Sequence, residues 1–442
     1  LFNFDYNFEF DNIVVDDLVT KNRSYFLPNF AFDTTKEKLL QRPKHNLRRC
    51  SKCILPETMP YIKFNDDGVC NYCENYILKN VPKPVSVIKE LVEPFRRNTA
   101  RDCIVPFSGG KDSVFTLYKL ACEMKLKCLV VSFDHTFFRP KLIENRTKIF
   151  KKLGVDVITF TPNWKVVQKL MLETFLRKGD FCWHCHSGIF AYPMQVAIKE
   201  KVPLVIWGEP QAEYTAYYSY EDTLNQTEEV NEERFNKFVN LGISADDMYY
   251  MLNDKNLDKR DLAPYVYPSE DELKKLNYRS ICLGSYFPWD VKKQVTLIKE
   301  ELGWEEDLNA GIPPEYAYEK VECQMQGVRD YIKYIKRGSG RTAHLSALDL
   351  RNERISKSKA VDNIKKYDGK KPANLDLFLK SIGLTEKEFN KIVKSHAVFP
   401  ANVNPDKLEK GKPLHDSNFW NKSAPMERSY AIKKLNNFNF KK

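Results

Sequence analysis

The chain has 442 residues, 43% of them hydrophobic and 29% charged, with 70 Lys and Arg against 59 Asp and Glu for a net charge of +11. That composition belongs to folded globular chains of two or three domains, and the basic excess is spread out, so it permits an anionic partner without demanding one. There is no long uncharged apolar run of the kind that crosses a membrane, and residues 1–20 lack the basic start of a secretory signal, so a cytoplasmic location is expected.

Residues 1–45 are rich in Phe, Tyr and Asn without a clear period and are expected to form an irregular or docking extension. Residues 46–80 hold two Cys-x-x-Cys pairs among turn signals, and Pro82 and Pro84 mark a linker. A helix around "VIKELVEPFRRN" leads into alternating strand and helix patterns. The strands are "DCIVPF", "CLVVSFD", "VDVITFT" and "PLVIWGE"; between them lie "VFTLYKLACEMK", "PKLIENRTKIFKKLG", "WKVVQKLMLETFLRK" and "GIFAYPMQVAIKEK". Such alternation predicts an α/β fold over residues 88–300, a doubly wound, mostly parallel sheet with helices on both faces. Residues 211–275 are polar, acidic and Tyr-rich and are expected to be an insertion, partly helical, serving as a lid. Residues 301–442 predict a mainly helical region, with Val328, Tyr331, Ile332 and Ile335 on a buried face.

Four groups of residues carry chemistry. Ser108-Gly109-Gly110-Lys111-Asp112-Ser113 follows a strand and opens a helix, where backbone N–H groups and the positive helix end hold phosphate. It is not a Walker loop, which needs four residues between its first Gly and the Gly-Lys. Second, Cys50, Cys53, Cys70 and Cys73 supply four thiolates, with 16 residues between the pairs, as expected of a structural zinc ribbon. Third, "FCWHCH" presents Cys182, Cys185, His184 and His186 just before a helix; the readings are a second metal site, with His186, Cys282 or Cys323 as a further ligand, a cluster, a sulfur relay, or a pair of free thiols lining the pocket. Fourth, two sheet-edge stretches and a basic turn face the expected ligand side. "VIWGE" ends in Gly208 and Glu209, where Glu209 either meets Mg²⁺ or the substrate or is a plain surface carboxylate. Phe133-Asp134-His135 closes the second strand, and ligands of such sheets lie beyond the strands' carboxyl ends, so adenosine is expected near Phe107, Phe133 and Asp134. "KRGSGR" offers Lys336, Arg337 and Arg341 to phosphates, or is simply a helix end with favourable basic residues.

The loop Ser108–Ser113 resembles the PP-loop of the ATP pyrophosphatase superfamily, with its HUP-like fold. The resemblance implies that these six residues grip the pyrophosphate of ATP with Mg²⁺ nearby, and that ATP is cut between its α and β phosphates. The order of thiolate ribbon, SGGKDS, CWHCH, IWGE, YFPWD and Lys-x-Gly-x-Gly-Arg is similar to the N-acetyl sugar amidotransferase family over roughly residues 46–372. That resemblance implies a cytoplasmic synthetase of bacterial surface polysaccharide (lipopolysaccharide O-antigen) and flagellin-glycan pathways. It would convert a sugar acetamido group to an acetamidino group through an adenylated intermediate, releasing AMP and pyrophosphate. Ammonia would come from a partner glutaminase, with a HisF-like synthase as a further partner. Glu209 and His186 are the candidates for the general base.

Two rival readings stand beside it. Cys185 to Cys282 is a plausible spacing for a third ligand, and Cys182, Cys185 and Cys282 then resemble the three-cysteine iron–sulfur site of tRNA 2-thiolation enzymes, which implies RNA as partner. A zinc-stabilised nucleotide-binding subunit without catalysis is the other.

Overall fold

The structure, a computed structural model, describes residues 47–59, 62–76, 82–96, 100–209, 243–308, 311–397 and 425–438. The aromatic extension 1–45 and residues 211–242 of the expected insertion lie outside the described residues.

Five short strands form the centre: β1 (Cys103–Pro106), β2 (Cys128–Phe133), β3 (Asp156–Phe160), β4 (Leu204–Trp207) and β5 (Arg279–Cys282). All pairings are parallel, in the order β3-β2-β1-β4-β5. The doubly wound α/β expectation therefore holds, with one strand, β5, that the sequence pattern did not single out. Strands β1, β2 and β4 are near-continuous apolar runs because both of their faces are covered. The chain winds outward from β1 through β2 to β3, then returns to the other side of β1 with β4. This reversal is the switch point, where neighbouring connections leave in opposite directions and open a crevice at the strands' carboxyl ends.

Helix α1 (Val85–Val92) precedes β1, and between the strands lie α2 (Lys111–Tyr118), α3 (Pro140–Leu153), α4 (Trp164–Lys178) and α5 (Trp183–Glu200). The last begins at Trp183, so "CWHCH" is not a loop before a helix. Cys182 is its N-cap, and His184, Cys185 and His186 lie in its first turns. Helices α6 (Ala245–Leu252) and α7 (Glu270–Leu276) follow, each opened by a Ser capping box. Met248, Met251, Leu252, Leu262 and Tyr265 pack with Phe133, Leu170 and Trp183 in one buried cluster. Much of the described half of the expected lid thus packs as core, through Ile243 to Tyr265, whereas α7 buries no residue.

Helix α8 (Val291–Leu302) is N-capped by Asp290 of the YFPWD stretch, and Trp289 stands edge-on to Phe115, 5.5 Å between ring centres. That stretch is a packing and capping device. Helices α9 (Gln326–Arg337), α10 (Arg341–Arg351), α11 (Lys357–Tyr367), α12 (Leu375–Ile382), α13 (Glu386–Ser395) and α14 (Arg428–Asn436) make the C-terminal region helical, as expected. The predicted inner face of α9, Val328, Tyr331, Ile332 and Ile335, is buried. It joins α4, α12 and α13 in a cluster where Phe389 stacks on Phe175 at 5.1 Å and meets Phe378 at 6.0 Å. This aromatic joint ties the helical region to the sheet domain. Phe389→Ala should cost about 3–5 kcal/mol, read as a lower midpoint of urea unfolding; an unchanged midpoint would show that the joint contributes nothing.

Candidate functional site

The six-residue loop lies at the switch point. Gly110 is the N-cap of α2 and makes no side-chain cap hydrogen bond. Gly109 has φ +91°, and a Cβ there would stand 2.8 Å from Leu142. A Cβ on Gly208, at the end of β4, would strike Thr116 Oγ1 at 2.8 Å, so β4 runs hard against the first turns of α2. The hydroxyls are arranged within the loop: Ser113 Oγ accepts from Gly109 N at 3.0 Å, and Ser108 Oγ accepts from Gly110 N at 3.2 Å. Trp304 Nε1 donates to Gly109 O at 3.2 Å and steadies the loop from behind.

Lys111 is only 6% exposed. Its Nζ stands 2.7 Å from Asp112 Oδ2 and 2.9 Å from Glu319 Oε1. Burial alone would lower its pKa, but the two carboxylates win and raise it well above the usual range, so the cation is permanent. Glu319 opens a short acidic-basic run: Glu322 Oε2 would meet a Cβ on Gly110 at 2.8 Å, and Lys320 Nζ lies 3.9 Å from Glu322 Oε1. Lys320 adopts φ +55°, and its side chain is 44% exposed between these carboxylates. Burial and the neighbouring Asp112 raise the Glu209 carboxyl to about 7, with Lys320 and Lys111 pulling the other way. Four carboxylates and two lysines therefore surround the start of α2.

The donor set fits a hard divalent cation. Asp112 Oδ1 is buried without a hydrogen-bond partner, and Glu209 offers a second oxygen across the switch point. Asp112 and Glu209 are the residues that would hold Mg²⁺. The N–H groups at the start of α2, the two serine hydroxyls and Lys111 suit phosphate oxygens. Beside them, His135 is 5% exposed, and its Nδ1 accepts from Phe137 N at 3.3 Å. Burial lowers its pKa despite Asp134 and Glu322, so the ring is neutral with its proton on Nε2, which has no partner.

Of the expected nucleoside contacts, Asp134 caps the turn after β2, accepting from Thr136 N at 2.8 Å and Thr161 Oγ1 at 3.2 Å. The Phe107 and Phe133 rings are core: Phe107 packs on Phe150 at 5.0 Å, and Phe133 faces Gly188 within the cluster under α6. Both rings are committed to packing, because apolar residues that flank a buried strand are drawn inward. Among the substrate candidates, Glu209 and Gly208 stand at the loop. Arg341 stands one step behind it, paired with Asp330 at 2.9 Å and donating to Glu319 O at 3.1 Å. His186 and Lys336 do not: they lie with Asp180, Arg329 and Lys178, and Lys336 Nζ donates to Lys178 O at 2.8 Å and Gly179 O at 3.2 Å. The "KRGSGR" turn is also taken. Asp368 accepts from Gly340 N at 2.8 Å and Thr342 N at 3.0 Å, so a carboxylate of this chain already caps α10.

The ribbon closes as expected. Cys50, Cys53, Cys70 and Cys73 are buried with their sulfurs all within 4.8 Å of one another. Cys50 Sγ and Cys73 Sγ are 3.9 Å apart, and Cys53 Sγ and Cys70 Sγ 3.6 Å. Tetrahedral thiolates at a Zn–S length of about 2.3 Å stand about 3.8 Å apart, so the four fit a metal such as zinc. Arg351 of α10 donates to Cys53 Sγ at 3.4 Å, and Arg337 exchanges hydrogen bonds with Thr58. The ribbon is thereby buttressed against the helical region.

Sequence reasoning missed Glu319, Lys320 and Glu322. Their signal was an alternation of charges inside the aromatic stretch "PPEYAYEKVECQ", where charges are out of place unless they face a site.

Fold and site define an α/β protein with a glycine-containing loop at a parallel-sheet switch point, a four-cysteine cluster and a helical C-terminal region. Residues 315–408 match the family described as "LPS biosynthesis protein WbpG-like, C-terminal domain". The matched segment begins with the residues that reach the loop. The chain is also 27% identical over 144 residues to "Uncharacterized protein MJ1599" of Methanocaldococcus jannaschii, a match covering 31% of this chain and 50% of that protein. The chain thus spans about half the length of that curated relative.

Glu319→Ala would leave Lys111 buried with Asp112 as its one remaining partner. We expect a loss of about 3 kcal/mol by urea unfolding, the lower end for a broken buried pair. Cys50→Ser should reduce bound zinc from one per chain to near zero and lower the melting temperature; retained zinc would remove the metal assignment.

Proposed function

We propose that this protein is an AMP-forming, ATP-dependent amidotransferase that converts an N-acetyl group of a sugar in lipopolysaccharide biosynthesis to an acetamidino group. The observation that carries the reading is the Lys111–Glu319 ion pair at 2.9 Å. It joins the Ser108–Ser113 loop to the opening of the segment that matches the WbpG-like domain, which supports a nucleotide and a sugar-pathway role in one crevice.

The chemistry needs an activated amide, because an amide carbonyl is a poor electrophile toward ammonia. The acetamido oxygen attacks the α-phosphorus of ATP, the bond to the β-phosphate breaks, and pyrophosphate leaves onto the Ser108–Ser113 loop. Mg²⁺, held by Asp112 and Glu209, would neutralise phosphate charge. Ammonia then adds to the imidate carbon, a proton passes to a base, and AMP leaves with the former amide oxygen. Lys111 and the α2 N–H groups stabilise the charge that develops on the departing pyrophosphate. His135 Nε2–H and Lys320 are donors for oxygens of the adenylated group. Glu209, whose carboxyl stands at about 7 in the free enzyme, must be ionised to hold the Mg²⁺ cation. Ammonia comes, on this reading, from a partner glutaminase, which an ammonium salt replaces in the assay.

Incubation with ATP, Mg²⁺, an ammonium salt and a panel of acetamido sugars should release AMP and pyrophosphate in equal amounts, dependent on one sugar. ADP as product, or AMP formation indifferent to every sugar, would reject the proposal. Lys111→Ala should lower kcat about 10²–10³-fold.

In the free enzyme Glu209 loses its proton near pH 7. A role that needs the carboxylate predicts kcat/KM for ATP rising with pH through about 7 and levelling above it. Glu209→Gln should abolish that limb along with most of the activity; a limb that survives in this variant assigns the titration elsewhere.

A further inference from the structure

Three cysteines that the ribbon does not use lie near one another on the α5 side of the loop site. Cys182 caps α5, Cys185 lies in its first turn, and Cys323 precedes α9; all three pack on one hydrophobic cluster. Cys182 is buried and Cys185 and Cys323 are partly buried; desolvation raises all three thiol pKa values, Cys323 to about 11, and Cys182 also feels Cys185 and Cys323, as Cys185 feels Cys323. Cys282, the third ligand expected from spacing, is elsewhere: it ends β5 inside the cluster of Phe190 and Trp207. Strand β5 delivers it to the core, while the crossing into α9 delivers Cys323.

Beside these thiols stand two buried polar side chains without a well-formed hydrogen bond. His184, between the two α5 cysteines, is 2% exposed, and neither ring nitrogen makes a well-formed hydrogen bond, although the backbone of His135 and Phe181 is close. Tyr265, 1% exposed, has a hydroxyl without a partner and feels the charge of Cys185. Each such buried group costs about 1–3 kcal/mol if left unsatisfied. Gathered around three thiols, they mark a place where sulfur acceptors belong. The charge agrees: Arg329 acts on all three thiols and pairs with Asp180 at 3.4 Å.

We propose that Cys182, Cys185 and Cys323 ligate an iron–sulfur cluster that borders the nucleotide crevice. A lone zinc ion would need sulfurs about 3.8 Å apart. The ribbon meets that, yet among the described residues no second set of ligand atoms is gathered within 4.8 Å. A polynuclear cluster bridges thiolates that stand farther apart, and hydrogen bonds to its sulfurs from His184 and Tyr265 would satisfy the orphaned donors. Three cysteines leave one coordination position without a thiolate. Glu322, adjacent to Cys323 in the chain and overhanging Gly110, is a wall shared by the centre and the loop. This inference does not depend on the proposed reaction, because metal content is read separately from AMP release.

The full chain, purified without oxygen and reconstituted with ferrous iron and sulfide, should bind both, with the broad visible absorption of an iron–sulfur chromophore, beside one zinc. Cys185→Ser and Cys323→Ser should each lower bound iron at least tenfold while keeping that zinc, which reports an intact ribbon. Cys282→Ser should keep the iron. Absence of iron and sulfide in the reconstituted wild type, a second zinc in their place, or loss of iron in Cys282→Ser but not in Cys323→Ser would each overturn the proposal.

Discussion

A buried cation at the mouth of a parallel sheet sets the constraints for the rest of the site. Lys111 has too little access to water to be charged alone, and it is held charged by Asp112 and Glu319. Those carboxylates must be buried with it, and burial together with Asp112 raises the neighbouring Glu209 carboxyl to about 7. The loop, the end of β4 and the segment before α9 are therefore electrostatically one unit. Gly109, Gly110 and Gly208 let their backbones come close enough for that unit to form, since a Cβ at any of them would collide within 2.8 Å.

The four-cysteine cluster belongs to the same construction although it lies outside the crevice. Four thiolates around a divalent metal keep net negative charge, and Arg351 answers it from α10. The N-terminus of α10 is fixed by Asp368, and its Arg341 holds the Glu319 carbonyl. A continuous path of hydrogen bonds and one helix thus leads from the ribbon to the partner of Lys111. A structural metal can in this way support a site it does not touch, by fixing the angle at which the helical region enters the crevice.

Much of this was legible in the sequence where neighbours in space are neighbours in the chain. The alternation of apolar runs and amphipathic stretches gave the parallel sheet, and the loop's position after "DCIVPF" put it at the ligand edge. The Cys-x-x-Cys spacing gave the ribbon because each pair is a local turn. What stayed hidden depends on contacts across long separations. Glu319 meets Lys111 from more than 200 residues away, and nothing local distinguishes it from a surface Glu except its aromatic neighbours. "KRGSGR" read as a phosphate turn because Asp368, which occupies it, is remote. The choice between Cys282 and Cys323 rested on spacing alone, and spacing carries no information about whether a strand or a crossing segment turns its thiol inward. The start of α5 was placed late because Pro193 and the His and Cys residues before it are poor helix signals, while packing on Phe378 and Tyr265 decides the matter.

Lys320 shows what the site requires of the backbone. A lysine at φ +55° is held against its own preference, at a cost of about 1–3 kcal/mol. In regular helix or strand, Glu319 and Glu322 would be directed by the element's period. The left-handed step between them lets one carboxylate reach Lys111 while the other overhangs Gly110. It also leaves the Lys320 ammonium partly open to solvent between them. A cation that is accessible, flanked by acids and anchored by a strained turn is poised for a negatively charged ligand, because the strain and the acid pairs fix its position before any ligand arrives. Glycine at 320 would relieve the strain, but it would remove that charge and free the turn that aims Glu319 and Glu322, so the backbone cost at this residue is inseparable from the arrangement of the crevice.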